Sequence, residues 1–230
     1  MAFNSAPPQA AIFDMDGVLV DSNPFHLQKW TDLLNAHAIP YDASDLPRQI
    51  LGQRNDHAFR YFFGPNLPAA ENKRLSEELE QIFRDNFGPH AIPLPGLSKL
   101  IVECHDSGVP LAVASSAMRK NIEFVVDALK FRPFFKFMIS GDDVKQPKPH
   151  PEIYLETAKR LNAKPEWCVA FEDSFVGIEA VKAAGMKCVA IASTFPFEDL
   201  QSQTRADRIV KNFKDLHLAD LRSLFNGQRA

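Results

Sequence analysis

Short, uninterrupted apolar runs recur along the chain at Ala10 to Phe13, Leu111 to Ala114, Phe137 to Ser140, Cys168 to Phe171 and Lys187 to Ala192, with a weaker run at Arg208 to Val210. Runs this short, without polar alternation, predict strands buried on both faces. Helical spacing fills most of the gaps: Leu97, Leu100, Ile101 and Cys104; Ile122, Val125, Val126 and Leu129; Ile153, Leu155, Ala158 and Leu161; Ile178, Val181 and Ala184. Gly108, Gly141, Gly185 and several prolines punctuate the ends. Strand and helix in alternation predict an α/β fold, a Rossmann-like parallel sheet covered by helices on both faces.

One segment breaks the rhythm. From Pro24 to Ile92 the apolar positions recur only at helical spacing, as in Leu27, Trp30, Leu33 and Leu34, then Leu75, Leu79, Ile82 and Phe83. This predicts an all-helical insert after the first strand, a cap domain over residues 22–92, with residues 1–21 and 93–230 forming the core domain. The hinges are expected at Gly17 to Ser22 and at the proline-rich stretch from His90 to Gly96. The insert also explains the length, since 230 residues exceed a typical domain of about 150 by roughly half a domain.

Composition narrows the class. With 45% hydrophobic and 24% charged residues, the chain falls in the range of folded globular proteins. A net charge of −3 gives no long-range attraction to nucleic acid or to an anionic membrane, so any phosphate must be bound locally. No apolar stretch is long enough to span a membrane, and the N-terminal MAFNSAPPQA lacks the basic start and apolar run of a signal peptide. Cys104, Cys168 and Cys188 are odd in number, lack C-x-x-C spacing and have apolar neighbours, which predicts small core residues in a reducing, cytoplasmic setting. The 19 phenylalanines are scattered at core-like spacing and read as packing, not as a stacking platform.

Four short motifs carry candidate chemistry, each at the end of an expected strand. The first strand runs into Phe13-Asp14-Met15-Asp16-Gly17. Side chains alternate along a strand, so Asp14 and Asp16 share a face if the chain stays extended, and two close carboxylates need a cation, a shared proton or a solvated turn. The second motif, Val113-Ala114-Ser115-Ser116, places hydroxyls before a helix starting near Met118, a geometry that serves a phosphate or an ordinary helix cap. The third holds Lys148 between Pro147 and Pro149, followed by His150, Pro151 and Glu152. Such a restrained lysine is suited to a point charge on a phosphoryl group or on a nucleophilic carboxylate, whereas in a rigid surface loop it would be merely solvated. The fourth, Phe171-Glu172-Asp173-Ser174, brings two acids to a helix start. Together with Asp14 and the Asp16 carbonyl these are hard oxygen ligands suited to Mg²⁺, although acids at a helix N-terminus are favourable without a metal.

The FDMDG, VASS, KPHPE and FEDS strings, in that order, resemble the haloacid dehalogenase superfamily over nearly the whole chain. The helical insert resembles the cap of the branch that holds sugar-phosphate phosphatases and β-phosphoglucomutase. That resemblance implies an Mg²⁺-dependent phosphoric monoester hydrolase acting on a small phosphorylated metabolite. In it Asp14 is the nucleophile that becomes an aspartyl phosphate, and Asp16 is the general acid and then the base. Ser115, with the Ser116 backbone beside it, binds the transferring phosphate, and Lys148 stabilises its charge. Asp14, the Asp16 carbonyl, Asp173 and Glu172 hold the metal. The presence of Asp16 favours phosphate chemistry over carbon–halogen cleavage.

In the cap, His26 and Trp30 stand four residues apart on one expected helix and resemble the positions used in the mutase to sense the sugar. Leu51-Gly52-Gln53-Arg54-Asn55 resembles the cap loop that meets substrate, which makes Gly52 and Arg54 candidate substrate-binding residues. Arg54 stands one position earlier than the mutase's phosphate-binding arginine, and Phe83-Arg84 stands where the mutase has a further cap lysine. Both departures favour a phosphatase over a mutase. A mutase and a phosphate-sensing module without turnover are the two rivals. Nothing in the sequence forces an oligomer, so a monomer or weak homodimer is expected.

Overall fold

The structure is a computed structural model that describes residues 8–226. Most of the N-terminal stretch read above for a targeting signal lies outside these residues. Six strands form one parallel sheet: β1 (Ala10–Phe13), β2 (Leu111–Ala114), β3 (Phe135–Ile139), β4 (Cys168–Glu172), β5 (Lys187–Ile191) and β6 (Arg208–Val210). Their order is β3-β2-β1-β4-β5-β6, and every neighbouring pair is parallel.

The two faces of the sheet differ in the size of their residues. Phe13, Val113, Phe135, Phe171, Val189 and Ile191 point to one side, where they meet α5 (Leu97–Asp106), α6 (Arg119–Ala128) and α10 (Leu218–Ser223). Phe13 stacks on Phe171 with ring centroids 4.5 Å apart. The other side presents Ala10, Ala112, Ala114, Ala170, Cys188 and Ala190 to α7 (Glu152–Arg160), α8 (Phe175–Ala183) and α9 (Phe197–Gln203). Small side chains let α7 and α8 lie close to the strands. The three cysteines are buried and unpaired, as expected.

Between β1 and α5 stand four α-helices, α1 (Asn23–Ala36), α2 (Leu46–Ile50), α3 (Asn55–Phe63) and α4 (Ala69–Phe87), with no strand among them. Trp30, Leu34, Ile50, Phe59, Leu75 and Leu79 give this layer an apolar cluster of its own. Phe83 and Phe87, at the end of α4, join the sheet's cluster instead. The insert is therefore anchored to the sheet through its last turns. At the neck the Leu94 N–H donates to the Leu19 carbonyl at 3.1 Å, tying the outgoing chain to the incoming one.

The third strand differs from the expected run, starting two residues earlier and ending before Ser140. Ser140 leaves the ladder because its N–H and hydroxyl both donate to the Asp143 carboxylate, at 2.7 and 2.6 Å. The fourth strand extends one residue further than expected, to Glu172, which pairs with Ala190. Among the described residues no helix is long and apolar enough to cross a membrane.

Candidate active site

In a sheet of this order the chain reverses its winding between β1 and β4, and ligands bind in the crevice beyond the strand ends there. Asp14 follows β1, Glu172 ends β4, and Asp173 follows it. The Asp14 N–H donates to the Phe171 carbonyl at 3.0 Å, which locks the two strand ends in register. Gly17 then turns the chain with φ of +72°, and a Cβ there would lie 2.0 Å from Asp173 Oδ2. Glycine is thus required both by the left-handed backbone and by the approach of the acid.

The four motifs meet at this crevice, in two layers. A cavity of about 170 Å³ is lined by Asp14, Asp16, Ser115 and Ser116 from the sheet and by His26, Gly52, Arg54, Asn55 and Lys73 from the helical insert. Lys148, Glu172 and Asp173 are not on its wall and stand behind Asp14, all buried. Lys148 Nζ donates to Asp14 Oδ1 at 2.8 Å, to Glu172 Oε1 at 2.5 Å and to the Ala114 carbonyl at 3.4 Å. Its three hydrogens are used. Of the two tasks open to this lysine in the sequence, the one seen is contact with the Asp14 carboxylate.

Asp14, Glu172 and Asp173 each bring a carboxylate oxygen to within 4.8 Å of the others, the one such acidic group found among the described residues. Three acids face one ammonium. Burial pushes Asp14 up to about 7 against the pull of Lys148, with Glu172 and Asp16 adding to the rise. Asp173 is raised well above the carboxylate range by burial and by the charges of Glu172 and Asp14. Glu172 moves the other way: burial would raise it, but Lys148, Tyr154 and the Ser174 N–H hold it low. The surplus of buried negative charge is what a divalent cation would relieve.

Asp16 is held separately. His26 Nε2 lies 3.0 Å from Asp16 Oδ1, and the Ser22 hydroxyl donates to the same oxygen. Burial works to raise Asp16, yet His26 and Ser22 carry it below its ordinary value. His26 in turn stacks on Phe83, 4.7 Å between centroids and 15° between planes. The expected face shared by His26 and Trp30 divides in function: His26 reaches Asp16, while Trp30 packs on Phe59, 4.7 Å away, at the cavity edge.

Ser115 is buried, and its hydroxyl accepts from the Ala117 N–H at 3.2 Å. The Ser116 hydroxyl donates to the Gly52 carbonyl at 2.9 Å, joining the core loop to the insert. Arg54 also bridges the two, reaching the Gly141 carbonyl at 3.4 Å and Asp56 at 3.2 Å. Arg84 is absent from the cavity wall and donates to Asn121 Oδ1 at 2.6 Å. His150 stays in the turn before α7, where its Nδ1 accepts from the Glu152 N–H.

Sequence reasoning missed several residues around the site. Asn23 donates to Asp173 Oδ2 at 2.9 Å, and Thr194 reaches the same oxygen. The Tyr154 hydroxyl donates to Glu172 Oε1 at 2.7 Å. Glu80 is buried in the insert, accepting from Lys29 at 2.7 Å, from Asn55 at 2.8 Å and from the core residue Asn121. The only signal for Glu80 was its place one residue after Leu79 in the apolar stripe of α4.

Burial would raise Glu80, but Lys29, His26 and Asn55 hold it low. A depressed folded-state value means that its stabilisation is present above the unfolded pKa of about 4.3 and is lost as pH falls through the folded one. Glu80→Gln should accordingly flatten the acid side of the stability profile, measured by urea unfolding between about pH 3 and 6.

Residues 11–191 match the family model for haloacid dehalogenase-like hydrolases. The chain belongs to that family. It is 34% identical over 183 residues to a phosphorylated carbohydrates phosphatase of Thermotoga maritima, covering 78% of this chain and 82% of the relative. It is 28% identical over 215 residues to the chloroplastic 5-amino-6-(5-phospho-D-ribitylamino)uracil phosphatase of Arabidopsis thaliana, covering 93% of this chain but only 57% of that longer protein. Among solved structures, a β-phosphoglucomutase from Clostridium difficile superposes with a TM-score of 0.82 at 26% identity, over 95% of this chain and 97% of that one.

Proposed function

We propose that this haloacid dehalogenase-like hydrolase is a phosphatase for a small phosphomonoester, a sugar monophosphate, with the helical insert acting as a cap over the site. The observation that carries the reading is the pair Asp14 and Asp16 on one cavity wall, the first held by Lys148 and the second by His26. An Asp14 carboxylate oxygen attacks phosphorus, and the bond to the sugar oxygen breaks. Asp16, ionised in the free protein, takes up a proton as the negatively charged phosphate binds beside it, gives that proton to the leaving oxygen, then takes one from the water that attacks the aspartyl phosphate, which restores the Asp14 carboxylate and releases inorganic phosphate. The Ser115 hydroxyl and the N–H groups at the start of α6 donate hydrogen bonds to the equatorial oxygens. Asp14, Asp173 and the Asp16 carbonyl would hold Mg²⁺, and the excess of buried carboxylates over Lys148 fits a divalent cation. Bound there, the ion neutralises phosphate charge.

The likeness to a β-phosphoglucomutase keeps a mutase as the second reading. Against it, Arg84 is absent from the cavity wall and is engaged with Asn121, which leaves it unavailable to a second phosphate there. The deciding assay supplies β-glucose 1-phosphate, a bisphosphate primer and Mg²⁺, alongside a panel of sugar phosphates. Inorganic phosphate in step with substrate loss is expected; glucose 6-phosphate without phosphate would make it a mutase.

A further inference from the structure

We propose that Glu172 and Tyr154 together position Lys148 on the nucleophile, and that Glu172 takes no metal ion directly. A carboxylate offers about four lone-pair sites. Glu172 already meets five donors: Lys148 Nζ and the Tyr154 hydroxyl on Oε1, and the Asp173 N–H, Ser174 N–H and Ser174 hydroxyl on Oε2, the last three at 3.0, 3.3 and 3.1 Å. The first turn of α8 lies directly against it, since a Cβ on Gly177 would fall 2.0 Å from Oε1. By contrast, Asp14 and Asp173 each use one carboxylate oxygen in the side-chain hydrogen bonds found among the described residues, Oδ1 and Oδ2 respectively. Two acids of the cluster therefore keep a free oxygen, and the third does not.

Tyr154 has a defined part in this arrangement. Its hydroxyl shares Oε1 with Lys148, and its ring lies 5.1 Å from Nζ. A neutral donor on Oε1 reduces the hold of Glu172 on the ammonium. Lys148 is then divided between Glu172 and Asp14 instead of being captured by Glu172. The alanine-rich sheet face beneath α7 lets the bulky tyrosine, fully buried, come this near. Tyr154 is a positioning residue, because it acts on Asp14 only through Glu172 and Lys148.

The activity half of this proposal rests on the phosphatase reading; the metal half does not. Tyr154→Phe removes the hydroxyl and keeps the ring. The expected result is a fall in kcat of about ten-fold with KM changed less than about two-fold, as befits a charge-assisted hydrogen bond. Mn²⁺, a probe for an oxygen-ligand site, is titrated into the apoprotein by calorimetry. Its Kd should stay within about two-fold in Tyr154→Phe and Glu172→Gln and weaken at least about ten-fold in Asp173→Asn. An unchanged kcat in Tyr154→Phe, or Glu172→Gln losing Mn²⁺ as Asp173→Asn does, overturns the proposal. The Glu172→Gln amide faces several donors and can cost the fold, in which case a Tyr154→Phe Kd shifted with kcat is the overturning result. A wild type that releases no phosphate from any monoester refutes the phosphatase reading, and the Mn²⁺ comparison still decides the role of Glu172.

Discussion

Asp14→Asn should abolish Mg²⁺-dependent phosphate release, by at least about 10³-fold, with circular dichroism and the far side of the fold unchanged. An amide nitrogen and a neutral oxygen cannot form the aspartyl phosphate, whereas the volume at the end of β1 is conserved. The second half of this expectation concerns stability. Asp14 is raised to about 7 chiefly by burial, so its charge opposes folding. For an acid whose folded pKa exceeds its unfolded value, the native state binds more protons over the interval between the two, and stability falls as pH rises through it. Without metal, Asp14→Asn should therefore unfold at a temperature equal to or above that of the wild type at about pH 8, and the difference should shrink toward about pH 4. Retained turnover would refute the nucleophile, and a large drop in Tm would refute the account of the buried charge.

Lys148→Met should damage both stability and activity. Methionine keeps much of the stem's volume and removes the ammonium, leaving Asp14 and Glu172 without the cation that lies 2.8 and 2.5 Å from them. Breaking a buried ion pair by removing one partner costs about 3–5 kcal/mol, far more than losing a surface pair. Urea unfolding should report a loss of that size at neutral pH, eased as the carboxylates protonate on acidification. Turnover should fall by about 10² to 10³, the usual effect of removing one electrostatic stabiliser from a reacting centre. Lys148→Arg is not expected to restore it, because a planar guanidinium cannot fill a site built for a compact tripod of donors. An Lys148→Met protein with wild-type Tm would show that the pair adds nothing to folding.

Much of this site was legible in the sequence, for a local reason. Asp14, Asp16, Ser115 and Asp173 follow apolar runs whose period reveals strands, and the carboxyl ends of parallel strands share one edge. Boundaries failed where side chains captured the backbone, as when Asp143 drew Ser140 out of β3. Tyr154 and Glu80 were invisible because each sits in an ordinary amphipathic helix, where a polar residue beside the apolar stripe reads as solvent-facing. Their partners, Glu172 and Asn121, come from other elements, 18 and 41 residues away.

The sequence by itself determined the alternation of strand and helix, the all-helical insert, and the order of acid, hydroxyl, lysine and acid at one sheet edge. These follow from periodicity and from short-range backbone chemistry, which a linear chain carries in full. The tertiary structure alone decided that Lys148 lies behind the cavity and is divided between Asp14 and Glu172, that Glu172 is saturated with donors, and that His26 rather than Trp30 touches Asp16. Contacts such as Lys148 with Asp14 join residues 134 positions apart. Their geometry depends on how closely helices approach an alanine-faced sheet, and packing of that kind is a property of the assembled layers.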